Sequence, residues 1–267
     1  MKASSFLEEH ADEEEKTWIF AAVVILVLAA ALLWFFSRKE SGKTLNAGVR
    51  TVIGDWAFYD KTHETCYGIE ADLAACLAQY MGCTAIRYSP VGSLNDFAAL
   101  DAGSVDCLIC AYPADAAGDE DHLFSDPYFE SGSYLLVETS TLFTSAEELA
   151  GKKIGVISND QFSQNRLLSA MASSGLRPPV LVPVDDYHQL TYLLETGEVS
   201  AACAPEDIAY TLLTEEIVAL AEPVGTQSVC IAVRKNDPNA LEILNAMNKM
   251  TADGITYEVF KLWEWAK

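Results

Sequence analysis

The chain has 267 residues, 51% of them hydrophobic, and a formal net charge of -22. That length allows a two-lobed body plus an accessory segment, and the apolar content is ample for a packed core. The acidic balance excludes nucleic-acid binding, because no basic stripe exists to neutralise phosphates, and it favours cationic or zwitterionic small molecules over anionic ones.

Residues 1–17 are polar and acidic, with Glu8, Glu9, Asp12, Glu13, Glu14 and Glu15, and are expected to be disordered or loosely helical. Trp18 to Phe36 is an uninterrupted apolar run of ~19 residues, long enough to cross a bilayer as a helix. Trp18 at one end and Trp34, Phe35 and Phe36 at the other suit an interfacial aromatic belt. A signal peptide would begin basic and end on small residues; this run begins acidic and ends bulky, so it reads as an uncleaved single-pass transmembrane helix. Arg38, Lys39 and Lys43 follow it while only Lys2 and Lys16 precede it, a bias that taken alone puts the body on the cytoplasmic side. Residues 37–44 are a polar linker.

From Leu45 onward strands alternate with helices. Leu45 to Val49 reads as a first strand, and from Asp72 a helix carries Leu73, Cys76, Leu77 and Tyr80 on one face until Gly82 stops it. Thr84 to Tyr88 is a strand, Ser93 with Asp96 forms a capping box for the next helix, and Val105 to Tyr112 reads as a buried strand. Phe124 to Gly132 then bridges to a second half built the same way. Ser145 with Glu148 caps a short helix. Strands are predicted at Lys153 to Ile157, Pro179 to Val184, Val199 to Ala204 and Ile217 to Leu220, and helices at Asp160 to Ser173, Asp186 to Thr196 and from Pro205. Ser228 to Arg234 returns as a strand, and two helices, Asn239 to Ala252 and Thr256 to Trp265, are expected to pack back on the first half. Helices between strands imply a mainly parallel sheet, with 45–136 plus 226–267 as lobe 1 and 137–225 as lobe 2.

Seven cysteines, Cys66, Cys76, Cys83, Cys107, Cys110, Cys203 and Cys230, are scattered rather than spaced as a framework. Cys107 and Cys110 form a C-x-x-C inside an apolar strand, where residues three apart point to opposite faces, so the thiols read as buried and inert. No cofactor or metal is expected. His10, His63, His122 and His188 do not cluster, and no serine or cysteine sits in a nucleophile elbow, so the chain does not read as an enzyme.

Phe124-Ser-Asp-Pro-Tyr-Phe-Glu-Ser-Gly132 resembles the FSDPYYESG signature of the bacterial family 3 extracellular solute-binding proteins. Gly68-Ile-Glu-Ala-Asp-Leu73 resembles that family's GFDVDL, Cys230 to Pro238 its return strand and turn, and Ala252-Asp-Gly-Ile-Thr-Tyr257 its ADGTY. The likeness runs in register over Leu45 to Lys267. It implies a two-lobed α/β body of the periplasmic-binding-protein type 2 kind, here preceded by one transmembrane helix. It further implies an extracytoplasmic, monomeric receptor that closes its lobes on a small-molecule solute and presents it to an ABC permease. The extracytoplasmic placement opposes the basic-residue bias around the apolar run and is preferred to it.

Members of that family hold an amino acid by an arginine on its carboxylate, an acid on its ammonium and an aromatic platform. The matching positions here are Gly118 for the arginine, Pro205 for the acid and Ile53 for the platform. No lysine or arginine lies between Asp106 and Phe129. Glu206 or Asp207 could replace the acid from the start of the following helix. A site built from Asp55, Trp56, Tyr112, Asp115, Asp160 and Glu206 is therefore expected, without a basic group, and suited to a cation or a neutral hydrogen-bonding solute. Trp56 has an equal reading as core, Asp115 and Asp160 as turn or cap residues, and Glu130 as a hydrogen-bonder at the hinge. A sensory or assembly module with a vestigial cleft is the alternative function.

Overall fold

The computed structural model describes residues 42–92, 97–111, 121–158 and 160–266. Alternating apolar residues nucleate β1 (Thr44–Val49), whose last three residues are buried. The antiparallel ribbon β2 (Val52–Ile53), β3 (Ala57–Asp60) and β4 (Thr65–Tyr67) leads into helix α1 (Ile69–Tyr80). Gly68 stands before α1 with φ of 110°, and a Cβ there would lie 2.7 Å from the carbonyl oxygens of Asp55 and Trp56. Only glycine accommodates both constraints. The turn starts α1 at Ile69 rather than Asp72, which draws Glu70 into the first turn and buries it.

β5 (Ala85–Pro90), α2 (Ala98–Asp101), β6 (Cys107–Ala111) and β7 (His122–Phe124) follow. β1 runs parallel to both β5 and β6, as the predicted crossovers require. The capping box predicted at Ser93 and Asp96 lies outside the described residues. The second half contains β8 (Phe129–Glu138), β9 (Lys153–Ile157), α3 (Gln161–Ser173), β10 (Val180–Val184), α4 (Tyr187–Glu195), β11 (Ala201–Pro205), α5 (Glu206–Thr211) and β12 (Ile217–Ala219). Here β9 is parallel to β10 and β11, and β8 adds antiparallel at the edge of β11. Ser145 and Glu148 form the predicted capping box, with the Ser145 N–H donating to Glu148 Oε2 at 3.1 Å.

The last strand, β13 (Thr226–Arg234), makes the architecture two-lobed. It pairs with β8 through Thr226 to Val229 and with β6 and β7 through Cys230 to Arg234. β8 in turn pairs with β13 over Phe129 to Gly132, and with β11 from Ser133. Two antiparallel strands thus carry the chain from one sheet to the other. Ser125 Oγ accepts from the Ile231 N–H at 3.0 Å, the Tyr128 hydroxyl donates to the Ile109 carbonyl at 2.5 Å, and Ser228 Oγ donates to Glu130 at 2.8 Å. Glu130 is therefore the hinge hydrogen-bonder its position implies.

The final helices, α6 (Ala240–Ala252) and α7 (Ile255–Leu262), return to the first lobe. Their Met247, Met250, Val259 and Phe260 share one core with Leu73 and Leu77 of α1. The Tyr80 hydroxyl donates to Asp253 at 2.9 Å and the Trp263 indole to Asp72 at 2.8 Å, so Asp72 is a structural residue of the helix start. All seven cysteines are free thiols, and burial pushes Cys66 up to about 12 and raises Cys107 further. Among the described residues no helix is long and apolar enough to cross a membrane; the apolar run 18–36 lies outside them.

Gly68→Ala should destabilise the chain by about 2 kcal/mol, since it combines a left-handed backbone with two carbonyl clashes. Urea unfolding measures this, and a loss below ~0.5 kcal/mol would contradict the strain assigned to the turn.

Candidate functional site

Ligands of open α/β sheets collect beyond the carboxyl ends of the strands, and here those ends face one another from both lobes. Arg50 follows β1, Ile157 ends β9, Asp185 and Asp186 follow β10, and Asp207 follows β11. Between them lies a cavity of about 500 Å³ lined by Arg50, Thr51 and Ile53 on the first lobe and by Asp185, Asp186, Tyr187 and His188 on the second. Asp186 caps α4 by accepting from the His188 N–H at 2.8 Å. Burial raises the Tyr187 phenol, and the neighbouring Asp186 adds to the rise.

Arg50, which lines this cavity, belongs to a buried ion triad. Arg50 donates Nε–H to Glu70 Oε1 at 2.5 Å and its backbone N–H to Glu70 Oε2 at 2.8 Å. From the same guanidinium, Nη1 donates to Asp207 Oδ2 on α5 of the second lobe. Arg50 is 3% exposed and both carboxylates 0%. The guanidinium also lies over the Trp56 ring, 5.5 Å from its centroid. Burial raises the Glu70 carboxyl, while the charge and N–H groups of Arg50 oppose the rise. Removing one member of such a group leaves buried charge uncompensated and costs about 3–5 kcal/mol.

Arg50 corrects the expectation of a cleft without a basic group. It is the single lysine or arginine lining the cavity among the described residues, and it is already held by two carboxylates of the protein. A signal existed in the sequence, because a charged residue placed directly after a buried strand lies where ligands gather. Asp207 was one of two residues weighed for the missing acid, and it meets the protein's own arginine.

Of the six residues expected to form the site, the four that are described do not share one cavity. Trp56 is 0% exposed, edge-on to Phe129, Phe260 and Trp265 at 5.2, 5.4 and 5.5 Å. That makes it a core residue, and it does not line the cavity. Asp160 caps α3, Oδ1 accepting from the Ser163 N–H at 3.0 Å, and it lies close enough to Asp207 for their charges to interact. Its Oδ2 is buried with no hydrogen-bond partner among the described residues. Asp55 and Glu206 come together in a second cavity of about 410 Å³ with Tyr210 and Trp265, which shares no lining residue with the first. Glu206 turns to the hinge there, accepting from the Gly132 N–H at 3.1 Å, and Asp55 accepts from the Trp265 indole at 3.2 Å. Tyr112 and Asp115, and Gly118 at the arginine position, lie outside the described residues.

Burial raises the Asp160 carboxyl above its ordinary value; its bonds to Ser163 oppose this and Asp207 adds to it. The folded chain therefore keeps this proton to higher pH than the unfolded chain, and stability falls as pH rises from the ordinary carboxylate range to the raised value. Asp160→Asn keeps the cap and removes the charge. Its stability relative to the parent chain should climb as pH rises above the ordinary carboxylate range, and a difference independent of pH in chemical denaturation would contradict this.

Comparison with known proteins agrees with this geometry. A model of the bacterial extracellular solute-binding proteins, family 3, matches residues 45–265. The "ABC transporter glutamine-binding protein GlnH" of Bacillus subtilis (strain 168) is 26% identical over 181 residues, which make up 66% of this chain and 64% of that protein. The match thus spans slightly less than two thirds of the relative's length. An ancestral arginine-binding protein bound to glutamine has a TM-score of 0.66 at 26% identity, over 83% of this chain and 98% of that one. The form described as bound to arginine has a TM-score of 0.66 at 25% identity, over 82% and 97%. With nearly the whole two-lobed body matched in one continuous stretch, the chain belongs to the bacterial extracellular solute-binding proteins, family 3.

Proposed function

We propose that this chain is the solute-binding component of an ABC importer, moored by residues 18–36 with its body outside the cytoplasmic membrane. In this reading it closes its lobes on a small polar solute that is cationic or neutral. The observation that carries the reading is the pairing of Arg50 with both Glu70 and Asp207 beside the cavity. A solute carboxylate would meet there a guanidinium whose charge two protein carboxylates already offset, and it would face Asp185 and Asp186 on the opposite wall. A cation or a neutral hydrogen-bonding group meets no such repulsion. The family, and its glutamine- and arginine-binding relatives, support a solute of amino-acid size.

The buried triad also favours a second reading, a sensory or assembly module whose cleft is filled by its own side chains. Thermal shift of the full chain against amino acids, polyamines and small peptides separates the two. A solute present at ~100-fold its Kd stabilises by about 2.7 kcal/mol. Stabilisation by amines or amides, with none by glutamate or aspartate, is expected of the importer component. If dicarboxylates stabilise most, the inferred solute class is wrong, and silence across the whole panel would leave the module reading.

A further inference from the structure

We propose that Arg50 is a tethered counter-cation that latches the two lobes together on Asp207 without any solute, and that it decides specificity by occupying a guanidinium site formed by Glu70 and Asp207. The inference concerns the same cleft and rests on the reading that the lobes open and close around it, whichever solute is carried.

Three observations lead to it. First, Arg50 and Glu70 belong to one lobe and Asp207 to the other, so the guanidinium spans the gap. Second, all three side chains are withdrawn from solvent, which removes the screening that makes surface ion pairs weak. Third, the guanidinium has the surroundings of a bound ligand: a carboxylate from each side and the Trp56 ring against it. The cation is nonetheless covalently part of the chain. It therefore pays no translational entropy on docking and competes with any dissolved cation at an advantage. A solute entering the cleft must accordingly sit above the triad, against Asp185 to His188, while lobe opening requires the Arg50–Asp207 contact to break.

Cutting Arg50 back should turn the occupied site into a vacant one. In the full-length Arg50→Ala protein, Glu70 and Asp207 remain facing one another across a hole of guanidinium size. Methylguanidinium at low millimolar concentration, compared with sodium at equal ionic strength, should raise the Tm of R50A by about 2–4 °C more than that of the parent chain. Adding Asp207→Asn should return the response to the parental level. This difference cancels any binding of the probe in the solute cavity itself, so it is independent of the outcome of the solute screen. A folded R50A whose response equals the parent's overturns the proposal. If R50A does not fold, Asp207→Asn alone decides: it leaves Arg50 paired with Glu70 and takes the charge out of the contact across the gap. Without solute, amide exchange in residues 49–53 and 185–188 should then quicken severalfold while the core of β9 stays protected. Unchanged exchange in both segments would overturn the latch.

Discussion

A guanidinium buried between two bodies has to be matched by charge on both, or the bodies part. That condition organises this molecule around Arg50. Taking each of three ions out of water costs several kcal/mol, and the cost is recovered only if the partners arrive together with good geometry. Glu70 is placed by the glycine turn that starts α1 early, where an acid in the first turn also suits the helix dipole. Asp207 is placed by the bend from β11 into α5 on the other lobe. Neither position serves the core of its own lobe. Each makes sense once Arg50 lies between them.

The two strands that cross between the sheets decide what such a contact can do. Because β8 and β13 pair with one another at the crossing and with different sheets on either side, relative motion of the lobes bends two extended strands and leaves each sheet intact. The hydrogen bonds around Ser125, Tyr128 and Glu130 hold that crossing on the first-lobe side. Closure is therefore governed by what meets in the gap, while the sheets keep the strand ends in register for it.

The alternation of strands with helices and the bridge were legible in the sequence because they rest on local pattern. Apolar runs located β6 and β9, and the helices between strands implied parallel pairing. The site was less legible because its contacts are not local. Arg50 finds its partners 20 and 157 positions away, and a lone arginine after a strand has the pattern of a solvated end. Trp56 illustrates the same limit from the other side. Its position in a loop after the first strand suits a platform, yet three rings from Phe129, Phe260 and Trp265 close over it. Asp160 carried two readings, as a cap and as a cleft acid; its bond from the Ser163 N–H makes it a cap, and it is not among the residues lining the first cavity.

A second tie joins the lobes, and comparing the two shows which one controls opening. Trp265, beyond α7, stands 5.2 Å from the Tyr210 ring on α5 while its indole holds Asp55. Ring contacts of this kind contribute about 0.5–1.5 kcal/mol, and Tyr210 is half exposed, so separating them costs little more than rewetting a surface. The ionic tie at Arg50 is different in kind, since parting it takes the guanidinium away from Asp207, whose charge also lies near Asp160. Opening is then tolerable only if water reaches both acids, or if a proton or a cation replaces the guanidinium. The energetics of the cleft thus depend less on how much surface the lobes share than on how the charge of Asp207 is neutralised once Arg50 withdraws.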